Sequence, residues 1–281
     1  MILFKKAAAF SSYIQCVHHA QNSTGFVPTM GALHQGHLSL IAAAKEQNPV
    51  AIASIFVNPT QFNNKSDFEK YPITIERDIE LLEAAGCNAL FLPNVAEIYP
   101  EGTAQTRHYH LNFLETVFEG KYRPGHFQGV CNVMHRLLSI IPATHLYMGQ
   151  KDYQQCMVVK RLLSLINSAT VLHTCPTLRE ADGLAMSSRN MRLNETERHN
   201  AVAISKALFS MKEQLNKMPI PALINQATQL LLQHHFKIDY IEITDATTLQ
   251  PVTNHNGQQQ LVALIAAFQN DVRLIDNLVL N

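Results

Sequence analysis

The first two-thirds of the chain alternates short apolar runs with longer stretches of helical periodicity, and this alternation limits the possible folds. Short, continuously apolar strands separated by helices are typical of a parallel sheet that is covered on both faces. The sequence therefore predicts a Rossmann-like α/β domain. The predicted strands are 25–27, 51–57, 89–92, 145–148 and 170–174, and the predicted helices are 4–18, 36–46, 75–85, 130–141 and 153–166.

The character of the sequence changes after Pro176. Two helical segments, 195–217 and 222–235, are separated by Pro219 and Pro221, which interrupt the helical pattern. Helices followed by consecutive strands predict a smaller α+β domain. We therefore expect a first domain at 1–176 and a second, lid-like domain at 177–281. The last strands are predicted at 238–243, 260–268 and 272–276, with a hairpin turn at Asn270-Asp271.

Composition narrows the class of protein. With 281 residues, of which 47% are hydrophobic and 16% charged, the chain is long and apolar enough for a sizeable core. Its formal net charge is zero, so we expect neither nucleic acid nor a membrane surface as a partner. The five scattered cysteines are typical of reduced thiols, and the N-terminus lacks a secretory pattern. We therefore expect a cytoplasmic protein.

Two histidines, His34 and His37, stand where an apolar run ends and a helical pattern begins. At such a junction they lie one helical turn apart, beside backbone N–H groups that have no partner within the helix. A helix N-terminus favours anions, and Gly36 has no Cβ to obstruct a phosphate. The segment therefore predicts a triphosphate site in which imidazoles donate hydrogen bonds, as adenylyl transfer requires.

Other interpretations of the histidine pair remain open. Two histidines at this spacing could share a zinc ion, but such a site needs further ligands, and no C-x-x-C pair is present. A His-x-x-His pair also occurs without any function. The order of strand, glycine, His-x-Gly-His and helix favours nucleotide binding over both.

Polar residues follow other predicted strands, where a parallel sheet places its ligands. Asn58 and Gln61 are uncharged amides suited to hydroxyl and carboxylate oxygens, although an ordinary Asn-Pro turn would explain them as well. Arg123 could pair with a carboxylate or a phosphate. His126 nearby could instead be a helix-start residue with no chemical role.

Two further segments carry cations and hydroxyl groups. Gly149 permits a close backbone approach, Lys151 supplies a charge for phosphate oxygens, and Asp152 could cap a helix or help to hold Mg²⁺. Gln155 falls on the same turn of the predicted helix. Farther along, 187–189 supplies two hydroxyls and an arginine, which suits a mobile lid over a triphosphate, although an ordinary polar loop is the alternative.

Taken together, these segments resemble the pantoate–β-alanine ligase (pantothenate synthetase) family. The His-x-Gly-His motif alone would indicate only the wider nucleotidyl-transferase superfamily, whereas the combination is much more specific. The matching segments are 28–37, 56–62, 96–102, 123–130, 149–155 and 176–190.

The resemblance implies a two-step, Mg²⁺-dependent ligation on a homodimeric enzyme. Pantoate attacks the α-phosphorus of ATP to give pantoyl adenylate and pyrophosphate, and β-alanine then displaces AMP to give pantothenate. The resemblance implies an ATP site made of Met30, Gly31, Ala32, Leu33, His34, Gln35, Gly36, His37, Gly149, Gln150, Lys151, Asp152, Leu178, Met186, Ser187, Ser188 and Arg189.

Specific roles follow from the same resemblance. His37 would donate a proton, Gln61 would contact both pantoate and β-alanine, and Gln155 would contact pantoate. Asn58, Arg123 and His126 complete the expected substrate-binding set. A carboxylate is already ionised at neutral pH, so adenylate formation needs alignment and charge stabilisation rather than a base. The expected catalytic donors and cations are His34, His37, Lys151, Ser187, Ser188 and Arg189.

The chain departs from the family pattern at three positions. Ile73 stands where an arginine is usual, Gln150 where a glutamate is usual, and Arg77 where some members carry an acidic residue beside the aspartate matching Asp78. The ligands of the metal therefore stay unassigned.

Two rival functions also remain open. One is an adenylyl or cytidylyl transferase with another acceptor. The segments around Gln61 and Arg123 do not support this function. The other is a catalytically silent nucleotide-binding module, which would not need His34, His37 and Lys151 together.

Overall fold

The computed structural model describes residues 1–62, 65–104, 107–255 and 257–281. The chain divides into two compact units, Met1–Gln150 with Gln154–Pro176, and Lys151–Tyr153 with Thr177–Asn281. The sequence predicts a domain limit after Pro176, and that assignment of domains stays a prediction. It does not anticipate that Lys151–Tyr153 groups with the second unit.

The first unit is built on a parallel sheet of six described strands in the order β1-β4-β3-β2-β5-β6. Helices connect the strands, as the alternating sequence predicts. The Rossmann-like fold is thereby confirmed. The strands are β1 Ile2–Phe4, β2 Thr24–Thr29, β3 Val50–Ile55, β4 Ala89–Phe91, β5 His145–Gly149 and β6 Val171–Cys175. The helices are α1 Ala7–His19, α2 Gln35–Gln47, α3 Lys65–Glu69, α4 Ile75–Ala84, α5 Val95–Ile98, α6 Phe118–Tyr122, α7 His126–Ile140 and α8 Tyr153–Leu165.

Alternating side chains of the central strands enter two separate cores, one on each face of this sheet. Phe26 of β2 packs in the core that contains residues of α1, α7 and α8. The next residue, Val27, packs in the other core with residues of α2 and α4. Both faces are therefore covered.

The strand order reverses beside β2, which pairs with β3 on one side and with β5 on the other. Loops that leave the carboxyl ends of two such strands diverge, and the crevice between them is where open α/β sheets bind ligands. The segment beginning at Met30 leaves β2 at this point, and Gly149 ends β5. The topology thus brings two of the predicted site segments to one edge of the sheet.

The second unit contains two helices, α9 Glu195–Gln214 and α10 Ile220–Gln233, followed by three antiparallel strands. The hairpin predicted at Asn270-Asp271 is present, with Gln269 paired to Val272 and Asn270 at φ +46°. The smaller α+β domain is therefore confirmed. The strands are β7 Lys237–Asp245, β8 Leu261–Gln269 and β9 Val272–Val279.

Three predicted boundaries in the first unit are wrong for identifiable reasons. The segment Ile2–Phe4, counted in part as helix, forms a strand because it pairs with Ala89–Phe91 of β4. Helix α1 accordingly begins at Ala7. Helix α7 begins at His126, four residues earlier than predicted, because Gly125 at φ +80° forms its N-cap.

No described helix combines the length and the apolar composition needed to cross a membrane.

Candidate active site

The turn after β2 is held by backbone hydrogen bonds that depend on one buried carboxylate. Asp78 of α4 is fully buried and accepts hydrogen bonds from the backbone N–H groups of Ala32 and Leu33, each at 2.8 Å. Thr74 Oγ1 donates to the same carboxylate at 3.0 Å. Gly31 lies at φ +82°, and a Cβ there would approach Asp78 Oδ2 to 3.0 Å. The carboxylate therefore fixes the backbone that leads into the histidine pair.

The two histidines cap α2 reciprocally. His34 is the N-cap, and its Nδ1 accepts from the backbone N–H of Gly36 at 3.1 Å. His37 Nδ1 accepts from the backbone N–H of His34 at 3.3 Å, and the ring centroids are 4.1 Å apart. Capping thus explains why both rings sit at the helix N-terminus.

This capping determines the tautomer of both rings. A backbone N–H can only donate, so each Nδ1 acts as an acceptor and carries no hydrogen. The hydrogen of each neutral imidazole then lies on Nε2. Both rings therefore carry their N–H on Nε2, at the helix N-terminus, where the α2 dipole is positive.

Gln61 lies between two of the predicted segments. Its Nε2 donates to Met30 Sδ at 2.8 Å, and its Oε1 accepts from Asn58 Nδ2 at 3.2 Å. Asn58 is only 1% exposed and also donates to Gly129 O at 3.2 Å, while Tyr99 donates its hydroxyl to Asn58 Oδ1 at 2.9 Å. The contacts of Asn58 therefore orient Gln61 within the protein.

Arg123 and His126 hold the backbone of Gln61. His126 Nδ1 donates to Gln61 O at 2.8 Å, so His126 Nε2 is the nitrogen that accepts from Arg123 at 3.1 Å. A ring that accepts from a guanidinium is neutral. Arg123 is also paired with Glu119 at 3.5 Å. The structure brings all three residues together as a support for Gln61.

The carboxyl end of β5 borders open space. A Cβ built on Gly149 would meet no atom within 4 Å, whereas neighbouring Gln154 is buried and bonds Glu119 N, Leu114 O and Val117 O. Gln155 makes no side-chain hydrogen bond to any described residue. The side chain of Gln155 can therefore bind a ligand without breaking an existing side-chain hydrogen bond, and no side chain stands over Gly149.

In the second unit, Lys151 is anchored to strand β9. Asn277 Nδ2 donates to Lys151 O at 2.8 Å, and Asn277 is only 2% exposed. Lys151 Nζ lies 4.0 Å from Asp152 Oδ1, and the Asp152 side chain is 46% exposed. Sequence reasoning missed Asn277, because its contact with Lys151 spans 126 residues.

The segment from Leu178 to Met186 is braced by a buried ion pair. Arg179 binds Asp276 through two hydrogen bonds of 2.6 and 3.1 Å and also donates to Gly183 O at 3.1 Å. Burial raises the pKa of the Asp276 carboxyl, while the Arg179 guanidinium acts in the opposite direction. Met186 N donates to Leu178 O at 3.0 Å, so the two predicted ATP-site residues lie side by side.

The predicted lid residues form a short capped turn. Ser187 Oγ accepts from Arg189 N at 3.3 Å, and a 3₁₀ helix covers Ser188–Arg192. Ser188 is 8% exposed, and Asn190 Nδ2 donates to Ala185 O at 3.0 Å. These bonds give the segment a defined conformation, and its predicted mobility stays a prediction.

Among the described residues, no group of three His, Cys, Asp or Glu side chains is arranged to hold a metal ion. Within that part of the chain, the His34–His37 pair has no third protein ligand placed with it as a zinc site requires. This donor set does not support the zinc interpretation.

Comparison with known proteins identifies the family. The sequence profile described as Pantoate-beta-alanine ligase matches residues 2–279. The chain is 46% identical to the pantothenate synthetase of Cytophaga hutchinsonii over 262 residues, which cover 92% of each chain. It is 39% identical to that of Porphyromonas gingivalis, with 99% of each chain covered. The chain belongs to the pantoate–β-alanine ligase family.

Solved structures of this family agree in fold. Pantothenate synthetase from Thermus thermophilus superposes with a TM-score of 0.92 at 38% identity, covering 99% of both chains. Pantoate–β-alanine ligase from Francisella tularensis, complexed with beta-gamma ATP and β-alanine, gives a TM-score of 0.81 at 37% identity, covering 99% of this chain and 97% of that one. The predicted family and enzyme class are confirmed, and the individual ligand contacts stay predictions.

Proposed function

We propose that the chain joins pantoate to β-alanine by cleaving ATP to AMP and pyrophosphate, through a pantoyl-adenylate intermediate. The reciprocal cap of His34 and His37 at the edge where β2 and β5 end is the observation that carries this proposal. The complex of the Francisella tularensis relative with an ATP compound and β-alanine supports the choice of substrates.

In the first step the pantoate carboxylate attacks the α-phosphorus, and the bond between that phosphorus and the bridging oxygen breaks. No base is required, because the carboxylate is ionised at neutral pH. The two Nε2–H donors of His34 and His37 meet the phosphate oxygens as negative charge moves onto the departing pyrophosphate. The donors are set by backbone capping, so little reorganisation accompanies the reaction.

We propose that Lys151 and the segment 186–189 bind the same ATP molecule as the histidines. Lys151 follows directly after the chain leaves β5, the strand that pairs with β2. An ammonium group, two hydroxyl groups and a guanidinium are suited to the charge of a departing pyrophosphate. Leu178, beside Met186, would border the nucleotide.

At the other end of the site, Gln61 and Gln155 bind pantoate, and Gln61 also contacts β-alanine. The contacts of Asn58, Arg123 and His126 support a positioning role around Gln61, and their direct contacts with substrate stay predictions. In the second step the neutral β-alanine amine attacks the acyl carbon of the adenylate, the bond from that carbon to the AMP oxygen breaks, and the amine releases a proton as the amide forms.

We propose that the half-exposed carboxylate of Asp152, together with the phosphates of ATP, would hold Mg²⁺. This donor set fits Mg²⁺, which commonly uses one or two carboxylates, substrate phosphates and water. When bound, Mg²⁺ neutralises phosphate charge. Asp78 does not fit this role, since its buried oxygens already accept three hydrogen bonds.

A cytoplasmic location and a homodimer stay predictions.

Product analysis tests the reaction. Purified protein with ATP, Mg²⁺, pantoate and β-alanine is expected to form pantothenate, AMP and pyrophosphate in equal amounts. Formation of ADP, or turnover with another acceptor but not with pantoate, would contradict the proposal. ATP binding without turnover would indicate a catalytically silent nucleotide-binding module.

A further inference from the structure

A cavity with several charged side chains in its lining lies in the first unit, apart from the residues assigned to catalysis. It has a volume of about 380 Å³ and lies among the start of α1, the helix α5 and the outer face of α7. The charged and polar groups that face it include Glu97, Arg107, Tyr109, His135 and Arg136. Nothing in the proposed reaction uses these side chains.

Both arginines are held over aromatic rings. The Arg107 guanidinium carbon lies 5.3 Å from the centre of the Tyr109 ring, and that of Arg136 lies 5.4 Å from the centre of the Tyr99 ring. Among the described residues, neither guanidinium makes an ion pair or a hydrogen bond. Their donors are therefore oriented by stacking but are not satisfied by the described part of the protein.

The Glu97 carboxylate, which also lines the cavity, is already neutralised. It accepts from Lys6 Nζ at 2.7 Å and from Ala7 N at 3.0 Å, and these bonds hold the pKa of its carboxyl below the usual range. It therefore offers little compensation to the two guanidinium groups. The described lining of the cavity keeps an excess of positive charge.

His135 lies within the field of both arginines. Its Nδ1 is 2.7 Å from the Tyr109 hydroxyl, and burial together with Arg107 and Arg136 lowers the pKa of the imidazole. Because both guanidinium groups act on the same ring, they share one electrostatic environment. Two like charges that lack a counter-charge among the described residues favour the binding of an anion.

We propose that this cavity binds an oxyanion, a phosphate or carboxylate group, between the guanidinium groups of Arg107 and Arg136. Guanidinium groups bind such anions through paired N–H donors, and the stacking on Tyr99 and Tyr109 preorganises them. The anion has two possible sources: a free anion, or an acidic side chain of a second copy of this chain. Tyr99, on which Arg136 stacks, also donates its hydroxyl to Asn58 Oδ1.

Inorganic phosphate is the probe, and the imidazole signal of His135 in an NMR titration is the readout. That signal is assigned by comparison with His135→Gln. We expect a saturable shift in the parent protein and at least tenfold weaker phosphate binding in Arg107→Gln and Arg136→Gln, which corresponds to about 1.4 kcal/mol. Lys160→Gln, an exposed cation on α8, serves as the matched control and is expected to bind as the parent does.

Two further measurements show whether phosphate binds in this cavity and where the anion comes from. Lys151→Ala should leave the His135 shift unchanged, which separates this cavity from the proposed ATP site. Sedimentation velocity across protein concentrations distinguishes the two sources. If a second copy supplies the anion, phosphate binds only to dilute protein and both arginine variants weaken self-association.

The absence of a saturable shift at every protein concentration would overturn the proposal, as would unchanged phosphate affinity in both arginine variants. Arg107 is exposed, so its substitution keeps the test available even if Arg136→Gln fails to fold.

Discussion

The histidine pair depends on a residue that never needs to touch a ligand. Asp78 accepts the backbone N–H groups of Ala32 and Leu33, and this fixes the turn from which His34 starts α2. The His34 backbone in turn selects the tautomer of His37. Catalytic geometry is therefore set by a carboxylate on α4.

We expect Asp78→Asn to lower kcat by about 10²-fold, because small displacements of catalytic groups have effects of this size. The amide NH₂ would confront a backbone N–H, and a lost buried hydrogen bond costs about 1–3 kcal/mol of folding stability. Steady-state kinetics and denaturant unfolding measure both effects. Glu80→Gln, an exposed carboxylate on the same helix, is the control. Normal kcat in Asp78→Asn would show that the turn does not depend on the carboxylate.

At the residue scale, sequence patterns identify candidate catalytic residues more readily than the residues that hold them in position. His34 and His37 stand out by their spacing and by the helix that follows. Asp78 attracts notice only as a neighbour of Arg77, because its partners lie 45 and 46 residues away in the chain. Only the folded backbone brings such groups together.

At the scale of elements, the packing of α7 against the turn Pro59–Gln61 shapes the predicted substrate end. A Cβ on Gly129 would overlap Thr60 O and would lie 2.7 Å from the Gln61 Cα. Since those atoms belong to the backbone, no side-chain rotation can relieve the overlap. Glycine is therefore required where helix and turn meet.

Gly129→Ala is expected to displace Gln61 and to raise KM for pantoate and β-alanine more than KM for ATP. Overpacking of this kind typically costs about 1–3 kcal/mol of stability. Substrate-by-substrate kinetics check the prediction, with Ser139→Ala at an exposed position of α7 as the control. Equal increases in all three KM values would point to general loss of structure and would contradict it.

Helix α9 joins the β8–β9 hairpin through its own cap. Asn194 and Glu197 form a reciprocal capping box, and Glu197 Oε1 also accepts a short hydrogen bond from Asn270 Nδ2. These donors lower the pKa of the Glu197 carboxyl. Its contribution to stability is thus fully present above its unfolded-state pKa of about 4.3 and is lost as pH falls through the lower folded value.

We therefore expect Glu197→Gln to be less stable than the parent at neutral pH, with a difference that shrinks as pH falls below about 4.3. Denaturant midpoints between neutral and acidic pH measure this. Glu195→Gln, exposed in the same turn, should show a smaller pH-dependent difference. A deficit of Glu197→Gln that stays constant with pH would exclude the charge as its cause.

The sequence predicts helices and strands correctly where an apolar periodicity continues over many residues. It fails where an element depends on pairing with a segment far away in the chain. The central strands and the long helices follow from apolar spacing alone. Strand β1 is only three residues long and is specified by its pairing with β4, and the start of α7 depends on the left-handed Gly125. Those contacts have no local signature in the sequence.

At the scale of the whole molecule, the proposed catalytic groups come from two compact units. The histidines and Gln61 belong to the first, whereas Lys151 and the segment 186–189 belong to the second. Lys151 is bonded to Asn277 of β9, although the preceding residues end β5. We propose that these groups act together in adenylate formation.

Isotope exchange between pyrophosphate and ATP, with pantoate and Mg²⁺ present and β-alanine omitted, tests that claim most directly. We predict exchange in the parent protein and in the exposed control Lys160→Gln, and a loss of about 10²–10³-fold in His37→Ala and in Lys151→Ala, both folded. The account would be contradicted by no exchange in the parent protein, or by near-normal exchange in either folded variant.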